Sequence, residues 1–306
     1  MSVATETFER RAAVDGAAVG LMLFLTFAWG LNGVAAKLSN QGFDPVFVTI
    51  VRSAIGAACV FAWCGWRGIS LFDRDGTLAG GLAAGALFGI EFALIFTGLD
   101  YTTVARGALM VNTMPFWVLI GAHFLLGERM SLAKVGGTLL AFCGVALVFS
   151  DKLSLPGPEA IIGDLMSLAA GMAWAATIIV IKTTRLSTAR AEKTLLYQLA
   201  VAPLVTLPLL LFTGPVLRDV GLVPIVSILF QGIFIVAFTY LLWFWLMRRY
   251  PAAGLSSFAF LTPAFGVLAG GILLDEPLSL RIFLALGLIG VGIVIVNRPV
   301  RKVAPG

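Results

Sequence analysis

The chain has 306 residues, of which 59% are hydrophobic and 12% charged, whereas soluble domains carry about 25% charged residues. With a mean hydropathy of +1.00 it has too little polar surface to coat a water-soluble body, which excludes an ordinary soluble enzyme and makes the lipid bilayer its solvent. The net charge of +5 is spread as membrane topology requires, so no nucleic-acid partner is expected.

The first residues, MSVATETFERRAAVDG, are polar and acid-bearing and do not read as a signal peptide. After them come ten apolar runs of the length that crosses a bilayer, about 20 residues each. They lie at 17–36, 45–65, 76–98, 102–126, 131–149, 162–181, 194–213, 222–246, 252–274 and 280–297. Several are joined by turns as short as Leu99-Asp100-Tyr101, which predicts antiparallel hairpins. Span 1 carries Trp29 and Asn32. Span 2 carries Arg52, with Cys59 and Cys64 as small apolar residues; Cys143 in span 5 is another. Span 3 repeats glycine at Gly81, Gly85 and Gly89, a spacing that lets helix backbones approach, and then places Glu91 among apolar neighbours. Span 4 holds Arg106, Asn112, Pro115 and the single histidine, His123. Span 6 holds Trp174. Span 8 holds Gln231, Phe234 and Phe238, with Trp243, Trp245 and Tyr250 toward its end as an interfacial belt. Span 9 holds Pro263, Gly266 and Gly270.

The charges orient these spans. With the N-terminus in the cytoplasm, fifteen Lys and Arg fall inside, among them Arg10, Arg301 and Lys302. Four fall outside and two, Arg52 and Arg106, are embedded, making up the 21. Both termini are therefore expected in the cytoplasm.

The chain also repeats itself. Pro115 and Pro263 are 148 residues apart, as are Glu128 and Glu276, and Ser131-Leu132 recurs as Ser279-Leu280 in the same register. Trp29 and Lys37 recur as Trp174 and Lys182, 145 residues on. Spans 1–5 (17–149) thus match spans 6–10 (162–297). Five is odd, so the second copy enters from the opposite side. The predicted fold is an all-α integral membrane protein of ten transmembrane helices arranged as two inverted five-helix repeats, a plan suited to secondary transport with the substrate near the midplane.

Polar groups inside the bilayer are costly and mark candidate sites. Glu91 is the only carboxylate expected deep in a span; Arg52 and Arg106 are its candidate ion-pair partners, unless they snorkel to the outer headgroups. Asn32 and Asn112 are candidate ligand amides, although amides also glue membrane helices. Trp29 and Trp174, too deep for an interfacial belt, and Phe234 and Phe238 on one face of span 8 are the candidate aromatic lining. Pro115 and Pro263 are candidate matched hinges. His123, near the inner end of span 4, reads as a polar contact or a proton relay. Paired-histidine zinc motifs and a P-loop are absent from the sequence, so no metal, cofactor or enzymatic chemistry is expected.

The doubled five-helix unit, the mid-helix proline and the closing GER-x-S-L and DEP-L-S-L turns resemble the drug/metabolite transporter superfamily, and within it the EamA-type family. Gly89-Ile90-Glu91-Phe92-Ala93-Leu94 with Trp29 resembles the YddG-type amino-acid exporters. The resemblance implies export of a small molecule, an amino acid or related metabolite, through a central cavity lined mainly by spans 1, 3, 4, 6, 8 and 9. It implies a cell inner-membrane location, alternating access and protons as a candidate coupling ion. A multidrug or nucleotide-sugar carrier is the runner-up, and an integral-membrane enzyme or receptor the rival from another class.

Overall fold

In lipid every backbone N–H and C=O must be satisfied within its own segment, so apolar runs of this length become helices. The computed structural model describes residues 11, 13–98, 101–153, 157–273 and 280–298. The Leu99-Asp100 turn, Glu276, Ser279 and the terminal charges Arg10, Arg301 and Lys302 lie outside the described residues. Ten helical spans are present among those described. The uninterrupted ones are α1 (Gly16–Gly42), α2 (Pro45–Arg67), α3 (Leu78–Gly98), α6 (Leu132–Phe149), α7 (Ala160–Thr183) and α13 (Leu280–Asn297). Span 4 is split into α4 (Val104–Val111) and α5 (Met114–Leu125). Span 7 is α8 (Ala191–Thr206) with a tight extension over Leu207–Leu211. Span 8 is α9 (Leu222–Leu229), a π-helical stretch Phe230–Thr239 and α10 (Tyr240–Arg249). Span 9 is α11 (Ala252–Ser257), a 3-10 turn Phe258–Phe260 and α12 (Leu261–Leu273).

Local chemistry sets the ends. The Asp15 carboxylate accepts the Ala18 N–H at 2.9 Å and starts α1. Asp44 does the same for Val46 at 2.9 Å, with Pro45 in the first turn of α2. No breaker intervenes between them until Asp44-Pro45, so α1 runs on to Gly42, beyond the expected end at 36. Gly68, at φ 62°, closes α2 in the left-handed conformation.

The packing exchanges the two halves of the chain. α6 lies along α13, which pairs span 5 with span 10. α3 packs on α7 and α8, and the counterpart packing of span 8 on α1 and α2 is also made. Span 4 lies on α7 as span 9 lies on α1, and spans 4 and 9 meet through α5 and α11. Swapping spans 1–5 for 6–10 maps this set of neighbours onto itself, as a two-fold axis between the copies would require. Glycines permit the closest approaches: Gly81, Gly85 and Gly89 of α3 lie against Tyr197, Val201 and Val205 of α8, where an added methyl at any of the three would collide. Gly30 of α1 likewise meets the backbone at Phe265-Gly266.

Polar ties secure both faces. On the N-terminal face Arg11 pairs with Asp15, the Tyr250 hydroxyl donates to Asp15 at 3.0 Å, and Lys182 donates to the Tyr250 carbonyl. Gly127, left-handed at φ 69°, turns the chain after α5 so that the Glu128 carboxylate accepts the Ala252 and Ala253 N–H groups at 2.7 and 3.2 Å. Glu128 thereby caps α11, which has no side-chain cap of its own. In the turn after α2, burial pushes the Asp75 carboxyl up, but hydrogen bonds from Thr77 and Lys193 and the Lys193 charge outweigh it and hold the group at about 2. Its 2.9 Å ion pair to Lys193 of α8 thus survives acidification until the pH nears that value. The opposite face is tied by Arg218 with Asp44 at 3.3 Å, by Arg281 with Asp151, and by Arg106 with Asp164.

Candidate functional site

Between the two sets of spans lies a cavity of about 370 Å³, within the range of small-molecule sites. Six of the candidate ligand, aromatic and charged residues line it: Trp29, Asn32, Arg52, Glu91, Asn112 and Trp174. They come from spans 1, 2, 3, 4 and 6, and the cavity also takes residues from spans 7, 8 and 9.

Arg52 sits two turns into α2 and is 7% exposed; Glu91, in the second half of α3, is 6% exposed. Among the described residues no ion pair joins them. The Arg52 guanidinium lies 5.0 Å from the centre of the Phe92 ring instead, a cation–π contact that stabilises the charge without neutralising it. The two charges are within electrostatic reach of each other, yet Arg52 Nε and Glu91 Oε2 have no hydrogen-bond partner in the protein. Three more polar atoms on the cavity wall are buried and unpartnered: Asn32 Oδ1, Gln198 Nε2 and Thr262 Oγ1. Native proteins pair nearly all such groups. Five orphans around one cavity, two of them on Arg52 and Glu91, mark a surface shaped for a polar ligand.

Aromatic rings form much of the remaining wall. The Trp29 indole N–H donates to Thr239 Oγ1 at 3.0 Å, and its ring stands edge-on to Tyr240 and Trp243 at 6.3 and 5.6 Å. The indole bond fixes the ring against span 8 at the edge of the cavity. Phe88, Phe92 and Phe96 of α3 add a row at helical spacing. Gln231 spends its Nε2 on Ser39 Oγ at 3.0 Å, so it joins span 8 to span 1 as well as lining the cavity. Asn112 ends α4 and returns its Nδ2 to the Ala108 carbonyl at 2.8 Å.

Three expectations are corrected. Arg106 does not join Arg52 and Glu91. It stands in the first turn of α4, too near the surface to reach them, and binds Asp164 through Nε at 3.3 Å and through Nη2, while Nη1 donates to the Leu153 carbonyl at 2.8 Å. Thr102 also donates to Asp164, at 2.7 Å. Asp164 was legible only as a lone carboxylate about one turn into an apolar run. Phe234 and Phe238 do not line the cavity. They stack on each other at 5.8 Å and stand edge-on to Phe24 at 6.2 and 6.4 Å, with Phe238 52% exposed. The wider π-helical turn rotates this part of span 8, so the row faces outward, and Tyr240, Trp243 and Phe244 face the cavity in its place. Trp243, expected in an interfacial belt, is therefore a buried cavity residue. His123 lies away from the cavity and accepts the Met130 N–H at 3.4 Å in the turn before α6.

Pro115 and Pro263 each sit just inside a helical segment that follows a break. Pro115 is the second residue of α5, after the interruption at Asn112-Thr113; Pro263 is the third of α12, after the 3-10 turn. A proline early in a helical segment costs less than one in its interior, and it keeps the preceding turn from closing as regular α-helix. The cavity lies at both breaks: Val111 and Asn112 line it on one side, Ala259 and Thr262 on the other.

The model of the EamA-like transporter family matches this chain twice, over residues 16–150 and 161–298. An uncharacterized transporter of Archaeoglobus fulgidus is 32% identical over 282 residues, 91% of this chain and 97% of its own length. A probable amino-acid metabolite efflux pump of Escherichia coli is 26% identical over 285 residues, covering 90% and 93%. A crystal structure superposes with a TM-score of 0.79 at 23% identity, over 93% of this chain and 99% of that one, and supports the fold. The family and these named relatives are transporters, not enzymes, and fall within the drug/metabolite transporter superfamily. This multi-pass membrane protein, with a helical cavity at its centre, belongs to the EamA-like transporter family.

Proposed function

We propose that the chain exports amino acids, or small metabolites carrying the same charged groups, across the cell inner membrane by alternating access. The observation that carries this reading is the Arg52–Glu91 arrangement: a buried guanidinium and a buried carboxyl that share a cavity without pairing. A zwitterion satisfies both, its carboxylate on Arg52 and its ammonium on Glu91, while a flat or apolar side chain lies against Phe88, Phe92, Trp29 and Trp174. Charge-assisted bonds of this kind are about twice as strong as neutral ones, and burial protects them from screening. The name of the Escherichia coli relative agrees with this class of cargo.

In this reading the two copies, 17–149 and 162–297, are inverted five-helix units whose exchange of neighbours supplies two equivalent states. Both termini are cytoplasmic, following the charge count. Glu91 is the group available to carry a proton when no substrate ammonium holds it.

Flux from proteoliposomes, measured with a panel of radiolabelled amino acids, their amides, the matching amines and cationic drugs, tests the assignment. Faster efflux of zwitterions than of both the amides and the amines is expected. A preference for cationic drugs, or for nucleotide sugars added to the same panel, would overturn it.

A further inference from the structure

The cavity continues well below Arg52 and Glu91. α3 and α8 run parallel, with Gly81 against Tyr197, Gly85 against Val201 and Gly89 against Val205. By this register Gln198 stands level with Leu82, nine residues before Glu91 and about 13 Å nearer the N-terminal face. Gln198 nevertheless lines the same cavity. It is 1% exposed, and its Nε2 has no hydrogen-bond partner. The cavity wall around this lower end is apolar and aromatic: Ile181, Trp243 and Phe244, each less than a tenth exposed.

A buried amide N–H that faces such a wall without a partner needs a ligand to explain it. Arg52 and Glu91 do not share that ligand at the same moment. With the two levels about 13 Å apart along the helices, the carboxylate that Arg52 holds does not stand at the level of Gln198.

We propose that Gln198 anchors a second, inner station on the transport route, which takes the carboxylate of the amino acid before it passes to Arg52. This inference rests on the reading of the cavity as an amino-acid route. The neutral amide suits a transient stop: its bond to a carboxylate is weaker than that of a guanidinium, so the substrate moves on toward Arg52. Trp243 and Phe244 offer the side chain an apolar surface at the same level. A substrate entering from the N-terminal face meets Gln198 first; one entering from the opposite face meets Arg52 and Glu91 first.

The test uses the full chain in membrane vesicles of both orientations, with radiolabelled L-phenylalanine as the probe. Gln198→Met keeps the length of the side chain and removes its donors. Its half-saturation concentration should rise about tenfold for phenylalanine offered at the N-terminal face, and stay within about twofold of wild type at the opposite face. Gln198→Asn, which keeps a donor on a shorter arm, should fall between the two; it also supplies the comparison if the Met variant does not fold. An equal rise at both faces would mark Gln198 as a structural residue, and no change at either face would leave it without a role; both results overturn the inner station alone. Absence of saturable phenylalanine flux in the wild-type chain overturns the amino-acid reading, and the inner station with it.

Discussion

Glu91 and Arg52 present a carboxyl and a guanidinium to one cavity, and each keeps an unpartnered atom there. Their separation separates two roles by experiment. Glu91→Gln preserves shape and hydrogen bonding while removing the charge. If Glu91 binds a substrate ammonium, the half-saturation concentration for amino acids should rise about tenfold or more, while a substrate lacking the amine is unaffected. Arg52→Gln should give the converse, penalising substrates with a carboxylate and sparing amines. If Glu91 instead carries a proton, Glu91→Gln abolishes the dependence of transport on pH. Wild-type rate, affinity and pH dependence in Glu91→Gln would sink both roles, and size-exclusion chromatography of the variants in detergent checks that a loss is not one of folding.

Among the elements, spans 4 and 9 stand apart because both are broken, at positions one repeat distance apart and next to the cavity. Each break leaves two helical segments joined by a turn that bends more easily than a continuous helix. Pro115→Ala and Pro263→Ala supply the missing N–H and remove the local bar to helix across the break. Each should slow transport several-fold while leaving the amount of folded protein near wild type, and the double variant should be slower than either. Full activity in all three, measured as flux per folded transporter, would remove the hinge role. Span 8 departs from this symmetry. Its π-helical stretch has no counterpart in the uninterrupted α3, and it resets the phase of the aromatic rings along that span.

At the scale of the molecule, neighbours are shared between the halves rather than kept within them: span 5 with 10, span 3 with 6, span 8 with 1. Neither half is a closed bundle, so the inverted arrangement is tested by orientation rather than by separation. Gly157 precedes α7 and Thr188 follows it, with one span between them; a Cβ at Gly157 meets nothing within 4 Å, and Thr188 is exposed. With Cys59, Cys64 and Cys143 replaced by alanine, Gly157→Cys should label with an impermeant thiol reagent in intact cells, and Thr188→Cys only after the membrane is opened. The reverse pattern would place both termini outside and overturn the direction of export.

The ten spans were legible from the amino-acid order because crossing a bilayer is a one-dimensional demand: about 20 apolar residues without interruption. The doubling was legible as well, since Pro115 with Pro263 and Trp29 with Trp174 keep nearly one offset. Arg52, Glu91, Asn32 and Asn112 declared themselves because lipid penalises polar groups, which drives them toward the interior of the bundle. The tertiary structure decided the rest. Arg106 chose Asp164 because only packing brought the start of span 4 to the start of span 6. Phe234 and Phe238 faced outward, and Tyr240 and Trp243 inward, because a helix apolar on every side carries no polar stripe to say which face is buried, and a wider turn within it resets the phase. Gln198 reached the cavity, far below Glu91, because glycines in α3 let α8 approach closely enough to place its amide on that wall. Sequence separation sets the chemistry available along each helix, but it is the rotation and depth of each helix, fixed by its neighbours, that determine which of those groups face one another.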